Sequence, residues 1–165
     1  MKHLSFLFCI LGLVAVSCSD DETMGPTDQS VVFTAQLGAA NENPPIAGAE
    51  GSAAGSVRIT FTPVTGGYNV AFAVNITGFP ATSVIFAGHI HEGASTVNGP
   101  IRVNTGLTQT TPMLTPTGGA ALTFTGIAVP NEQAQAIFAN PGGYYFNLHS
   151  PLNPGGVVRG QLVRR

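Results

Sequence analysis

The sequence predicts an all-β domain, an antiparallel Greek-key β-sandwich of about eight strands with one short connecting helix, and three observations carry that prediction. Apolar and polar residues alternate with period two along several segments, which places one face of each in a core. Gly, Pro, Asn and Thr recur between those segments as turn punctuation. No long helical period separates them, as an α/β fold would require.

The elements follow in order. Val31 to Leu37 is the first expected strand. Val57, Ile59 and Phe61 then alternate with Arg58, Thr60 and Thr62, and Tyr68, Val70, Phe72, Val74 and Ile76 alternate with Asn69, Ala71, Ala73, Asn75 and Thr77. The turn residues between Pro63 and Gly67 predict that these two strands pair as an antiparallel hairpin. Val84 to His91, Ile101 to Asn104, Ala120 to Ala128, Tyr144 to His149 and Val157 to Val163 complete the set. Asn131 is placed to cap a short helix running to Phe138, with Glu132 favourable at its positive end and Asn140-Pro141-Gly142 ending it.

Ahead of this domain the chain reads as an address. Lys2 precedes an apolar run from Leu4 to Val16, which at 13 residues is shorter than the roughly 20 a membrane span needs. Ala15-Val16-Ser17-Cys18 resembles the lipobox of bacterial lipoproteins, which implies a signal peptide over residues 1–17 and acylation of the Cys18 thiol. Cleavage by an ordinary signal peptidase, giving a secreted or periplasmic protein, is the alternative. Several acyl chains on one residue are enough for stable attachment, so contact with the membrane is expected through the lipid anchor only. Residues 18–30, with Ser19-Asp20-Asp21-Glu22 and then Thr, Gly, Pro, Asp, Gln and Ser, read as a disordered tether. Acidic residues directly after the cysteine resemble surface-export signals of lipoproteins, which implies an outer-membrane, surface-exposed location.

Residues 31–165 are expected to form one domain. Its only charged residues are Glu42, Glu50, Glu92, Glu132, Arg58, Arg102, Arg159, Arg164 and Arg165. No basic stripe exists to neutralise phosphates, so nucleic acid is excluded as a partner. Cys9 lies in the signal segment and Cys18 at the anchor, so the folded part has no thiol and its stability rests on an ordinary core. There is no phosphate loop opening a helix, no nucleophile elbow and no close pair of acidic residues for glycoside hydrolysis.

The informative polar residues are histidines. In Gly88-His89-Ile90-His91-Glu92-Gly93 the two imidazoles share one strand face while Ile90 points to the core. His149 ends Tyr144-Tyr145-Phe146-Asn147-Leu148-His149, on the face of Tyr145 and Asn147. Two readings stand open: three neutral imidazoles converging on copper or zinc, or three histidines that only hydrogen-bond the Gly93 to Gly99 loop and the turn after His149. Glu42, in Asn41-Glu42-Asn43-Pro44-Pro45, and Arg159, between Val158 and Gly160, are either surface residues or an inward-facing ion pair supporting that site.

Taken together, these segments resemble the CHRD domain, a family named after the animal signalling antagonist chordin. The resemblance runs through Phe33-Thr34-Ala35-Gln36-Leu37 and Asn41-Glu42-Asn43-Pro44-Pro45, then Gly88 to Gly93 with Gly99-Pro100-Ile101, Tyr144 to His149, and Gly155-Gly156-Val157-Val158-Arg159-Gly160-Gln161-Leu162. It implies a β-rich extracellular module that binds or interacts, with an extracellular protein or glycan as partner, and it implies no catalytic residue. A more distant similarity is to copper-zinc superoxide dismutases, whose sandwich carries a His-x-His-Glu-x-Gly run and a later strand-borne histidine. That similarity implies copper on His89, His91 and His149, an arginine role for Arg159, and a copper-dependent redox enzyme as the alternative function. The bridging histidine, the zinc ligands after Glu92 and the disulfide cysteines of those enzymes have no counterpart here.

Overall fold

The structure, a computed structural model, describes residues 29–115 and 117–165. The signal segment 1–17, Cys18 and most of the tether lie outside the described residues. Among the described residues the strands are β1 (Val31–Gly38), β2 (Ala54–Val64), β3 (Gly67–Thr77), β4 (Ser83–Ile85), β5 (Ala87–Glu92), β6 (Ile101–Asn104), β7 (Met113–Thr115), β8 (Ala120–Pro130), β9 (Tyr144–His149), β10 (Val158–Gln161) and β11 (Val163–Arg164). One helix, α1 (Asn131–Ala139), follows β8 directly. No described helix is long and apolar enough to cross a membrane.

The main sheet is antiparallel, in the order β6-β5-β9-β10-β1-β2-β3-β8, with β11 also paired to β1. It folds over on itself. Phe72 on β3 meets Phe146 on β9 at 5.6 Å between ring centroids, although β10, β1 and β2 lie between those strands in the sheet. The apolar sides of β1, β2, β3, β5, β9 and β10 therefore line one continuous core. α1 closes an end of it, packing Phe138 on Phe33, Phe61 and Tyr68 at centroid distances of 5.7, 5.2 and 5.2 Å. Gln133 of α1 donates to the Arg102 carbonyl on β6, so the helix bridges the two ends of the strand order.

The all-β class and the β2–β3 hairpin are as expected, the hairpin turning through Thr65-Gly66 with Gly66 at φ +83°. Among the described residues the strand count rises from about eight to eleven because two expected strands are interrupted and β7 is a further, unexpected strand. The segment from Val84 to His91 breaks at Phe86: β4 pairs with β7 in a separate two-stranded ribbon, and the chain then changes partners to β9 and β6. Leu162 breaks the last strand in the same way, its N–H bonding the Tyr144 carbonyl before β11 joins β1. Asn131 is the first residue of α1 rather than its cap, and the cap position, Pro130, makes no side-chain bond.

Candidate metal centre

Strands with one side in a core normally leave the other in water, but β9 is buried along its whole length and β5 nearly so. Loops cover the second side. Arg159 on β10 draws in the 93–99 loop, donating to the carbonyls of Ala94 (2.7 Å) and Val97 (2.9 Å) and to Asn98 Oδ1 (3.0 Å). Asn43 and Asn98 lock the loop after β1 to the same segment through bonds to the Thr96 and Asn43 carbonyls. Between sheet and loops lies a layer of polar side chains: His89 and His91 from β5, Tyr145, Asn147 and His149 from β9, Arg159 from β10, and Glu42.

Strand register brings the histidines together. His89 sits opposite Asn147, His91 opposite Tyr145, and Ala87 opposite His149, so the third imidazole is diagonal to the first. One nitrogen from each of His89, His91 and His149 lies within 4.8 Å of the other two. The remaining hydrogen bonds show which nitrogens these are. His91 Nδ1–H donates to the Gly99 carbonyl (2.8 Å) and His149 Nδ1–H to the Pro154 carbonyl (2.9 Å), which leaves Nε2 of each facing inward. His89 presents Nδ1, 3.0 Å from His149 Nε2. Carbonyls that accept from the far ring nitrogen fix tautomer and ring orientation, as the outer partners of metal-bound histidines do.

The electrostatics suit neutral imidazoles. Burial pushes His89 down to about 4, with His149 and His91 adding to the effect, and burial also lowers His91 and His149. The three rings are therefore neutral at neutral pH, the form that binds a transition metal. Tyr145 stacks on His91 at 4.9 Å with a 7° interplanar angle and carries the Arg159 guanidinium 3.3 Å from its ring centroid. The nearby Arg159 charge adds to the lowering of His91.

Glu42 and Arg159 both point inward, at 7 % and 1 % exposure. The expected ion pair between them is not made: the one ion pair among the described residues is Glu92 with Arg102, 2.5 Å apart on the surface. The reason is that the Arg159 guanidinium is turned onto loop carbonyls and Tyr145. Burial instead pushes the Glu42 carboxyl up to about 7, against the opposing effects of Arg159 and the Asn147 amide. Both residues border a cleft of about 500 Å³ between the loop after β1 and residues Ser95 and Thr96.

Two further parts of the site carry little signal in the sequence. Asn147, 1 % exposed, places Oδ1 3.1 Å from His149 Nε2. Its position on the alternating face of His149 is the available cue. Glu50 is buried and accepts from Ser150 Oγ (2.5 Å) and Asn153 Nδ2 (2.6 Å), pinning the turn whose Pro154 carbonyl holds His149.

The sequence model of the CHRD domain matches residues 33–162, which include every residue of this layer. The chain belongs to the CHRD domain family. No curated protein and no solved structure matches it. Within this CHRD domain the described buried side-chain polar atoms without a hydrogen-bond partner are Glu42 Oε1, His91 Nε2, Arg159 Nε and Gln161 Oε1; the first three belong to the polar layer and Gln161 lies two residues beyond Arg159 on β10. A buried polar atom left unpaired costs about 1–3 kcal/mol, so their concentration in one place marks a site built for something besides stability.

Proposed function

We propose that this CHRD domain is an extracellular binding module whose working feature is a transition-metal site on His89, His91 and His149, taking copper or zinc. The single observation that carries the proposal is the unpartnered, buried Nε2 of His91, facing two other inward nitrogens whose rings are oriented by backbone carbonyls. Three nitrogens bound at about 2.05 Å are at most about 4.1 Å apart, so binding contracts the 4.8 Å set by less than 1 Å. The module is carried, in this reading, on a lipidated Cys18 at the outer membrane, facing an extracellular protein or glycan; the short apolar run and the small residues before Cys18 support that address. Metal analysis of the purified protein after loading and desalting tests the centre. One equivalent of copper or zinc on the wild type and none on His91→Ala is the expected result, and equal uptake by both defeats it.

A second reading, a copper-dependent redox enzyme, draws on a specific feature: three protein ligands leave a metal with an open position, the arrangement of catalytic rather than structural sites. Arg159 serves it poorly, because its N–H groups hold the 93–99 loop instead of facing solvent. Superoxide consumption by the copper-loaded wild type that is absent from His91→Ala is its signature.

A further inference from the structure

Asn147 lies at the centre of the histidine set, with His89 opposite it on β5 and Arg159 opposite it on β10. Its amide has two ends in different surroundings. The nitrogen end is on the Glu42 side: a Cβ on Gly156 would fall 2.6 Å from Glu42 Oε1 and 2.7 Å from Asn147 Nδ2, and the Asn147 amide favours the charged form of the Glu42 carboxyl. Turning the amide round would set its oxygen against the carboxyl oxygens. The oxygen end faces the imidazoles, 3.1 Å from His149 Nε2.

His149 Nδ1–H is already donated to Pro154, so its Nε2 carries a lone pair. In the metal-free protein His89 Nδ1–H donates to that lone pair at 3.0 Å, but Asn147 Oδ1 and His149 Nε2 are both acceptors and make no hydrogen bond at 3.1 Å; one cation between them engages both. From this geometry we infer that the Asn147 side-chain carbonyl is the fourth donor of the metal centre, completing an N3O set; the inference rests on the three-histidine reading above.

The donor types also favour one metal. Three imidazole nitrogens with one amide oxygen are a set that suits copper(II). Four protein donors also close the site, which fits binding or storage better than turnover.

The test loads the full-length protein with one equivalent of copper(II) and compares wild type, Asn147→Leu, Asn147→Asp and His149→Ala by electron paramagnetic resonance and chelator competition. Asn147→Leu keeps the volume and removes the oxygen. It is expected to weaken copper binding about 10- to 100-fold and to shift the copper spectrum, while Asn147→Asp restores tight binding through its own oxygen. Wild-type spectrum and affinity in Asn147→Leu, with copper lost from His149→Ala, overturns the fourth donor and leaves the histidine site standing. A wild type that takes up no copper overturns the histidine reading and this one with it. If Asn147→Leu does not fold, wild type labelled with ¹³C at the asparagine side-chain carbonyl decides: hyperfine coupling of that carbon to copper supports the assignment, and none overturns it.

Discussion

The two sides of β5, β9 and β10 are equally hidden from solvent and chemically opposite. On one side Ile90, Phe146, Leu148 and Val158 are 0 % exposed; on the other His89, His91, Asn147, His149 and Arg159 lie between 1 and 8 %. The first side is covered because the sheet folds over, and any apolar side chain of similar volume serves it. The second is covered by loops whose carbonyls accept from His91, His149 and Arg159, while Glu42 Oε1, His91 Nε2 and Arg159 Nε stay buried without a partner. Of the nine charged residues after residue 30, Glu42, Glu50 and Arg159 are buried around this layer. Equal burial thus serves stability on one side and recognition on the other, and substitutions should separate the two.

His149→Ala should have the largest effect on binding. Loss of outer partners of a metal ligand already costs about 10- to 100-fold in affinity, so loss of an imidazole, a stronger donor than an amide oxygen, should exceed roughly 100-fold while the unfolding midpoint of the metal-free protein stays near that of the wild type. Copper competition titration together with urea unfolding checks both halves. Phe146→Ala, one residue from Asn147 but on the core side, should do the reverse: a loss of about 3–5 kcal/mol in stability with copper affinity retained in the folded protein. If Phe146→Ala weakened copper binding as much as His149→Ala, the two sides would not be independent.

Glu50→Ala should fall between. It leaves the Ser150 hydroxyl and the Asn153 amide without their acceptor, a loss of about 1–3 kcal/mol, and it loosens the turn that presents the Pro154 carbonyl to His149. A modest drop in copper affinity should accompany the stability loss, and Glu50→Gln should recover part of both because it still accepts a hydrogen bond.

What could be read from the sequence divides along the same line. Alternation along β2, β3 and β9 is a local property, so the core side and the shared face of His89 and His91 were legible residue by residue. The polar layer depends on long-range pairing. Asn147 joins the site because β9 lies between β5 and β10 in the sheet, and alternation puts it on the face of His149 without showing that His89 and Arg159 flank it. Arg159 was legible as a charge on an apolar strand, but its partners are backbone carbonyls of a loop some sixty residues earlier, which no side-chain pattern announces. The β4–β7 ribbon, three residues on each side, is too short for alternation to register.

The smallest expected effect concerns acid stability of the metal-free protein, where two groups of the polar layer oppose each other. Burial raises Glu42 to about 7, so the folded state holds its proton more tightly than the unfolded chain; this stabilisation is complete below about pH 4.5 and is lost as pH rises through 7. Burial lowers His89 to about 4, so its contribution is present above the ordinary histidine value of about 6.5 and is lost as pH falls through 4. Between roughly pH 4.5 and 6.5 the two slopes have opposite sign and partly cancel. Glu42→Gln removes one of them, and its urea midpoint, measured with chelator present at pH 7, 5.5 and 4.5, should fall more steeply toward acid than that of the wild type. Parallel profiles for the two proteins would mean that the Glu42 carboxyl is not held protonated by its burial, and that this side of the sheet is more open to water than the core side it mirrors.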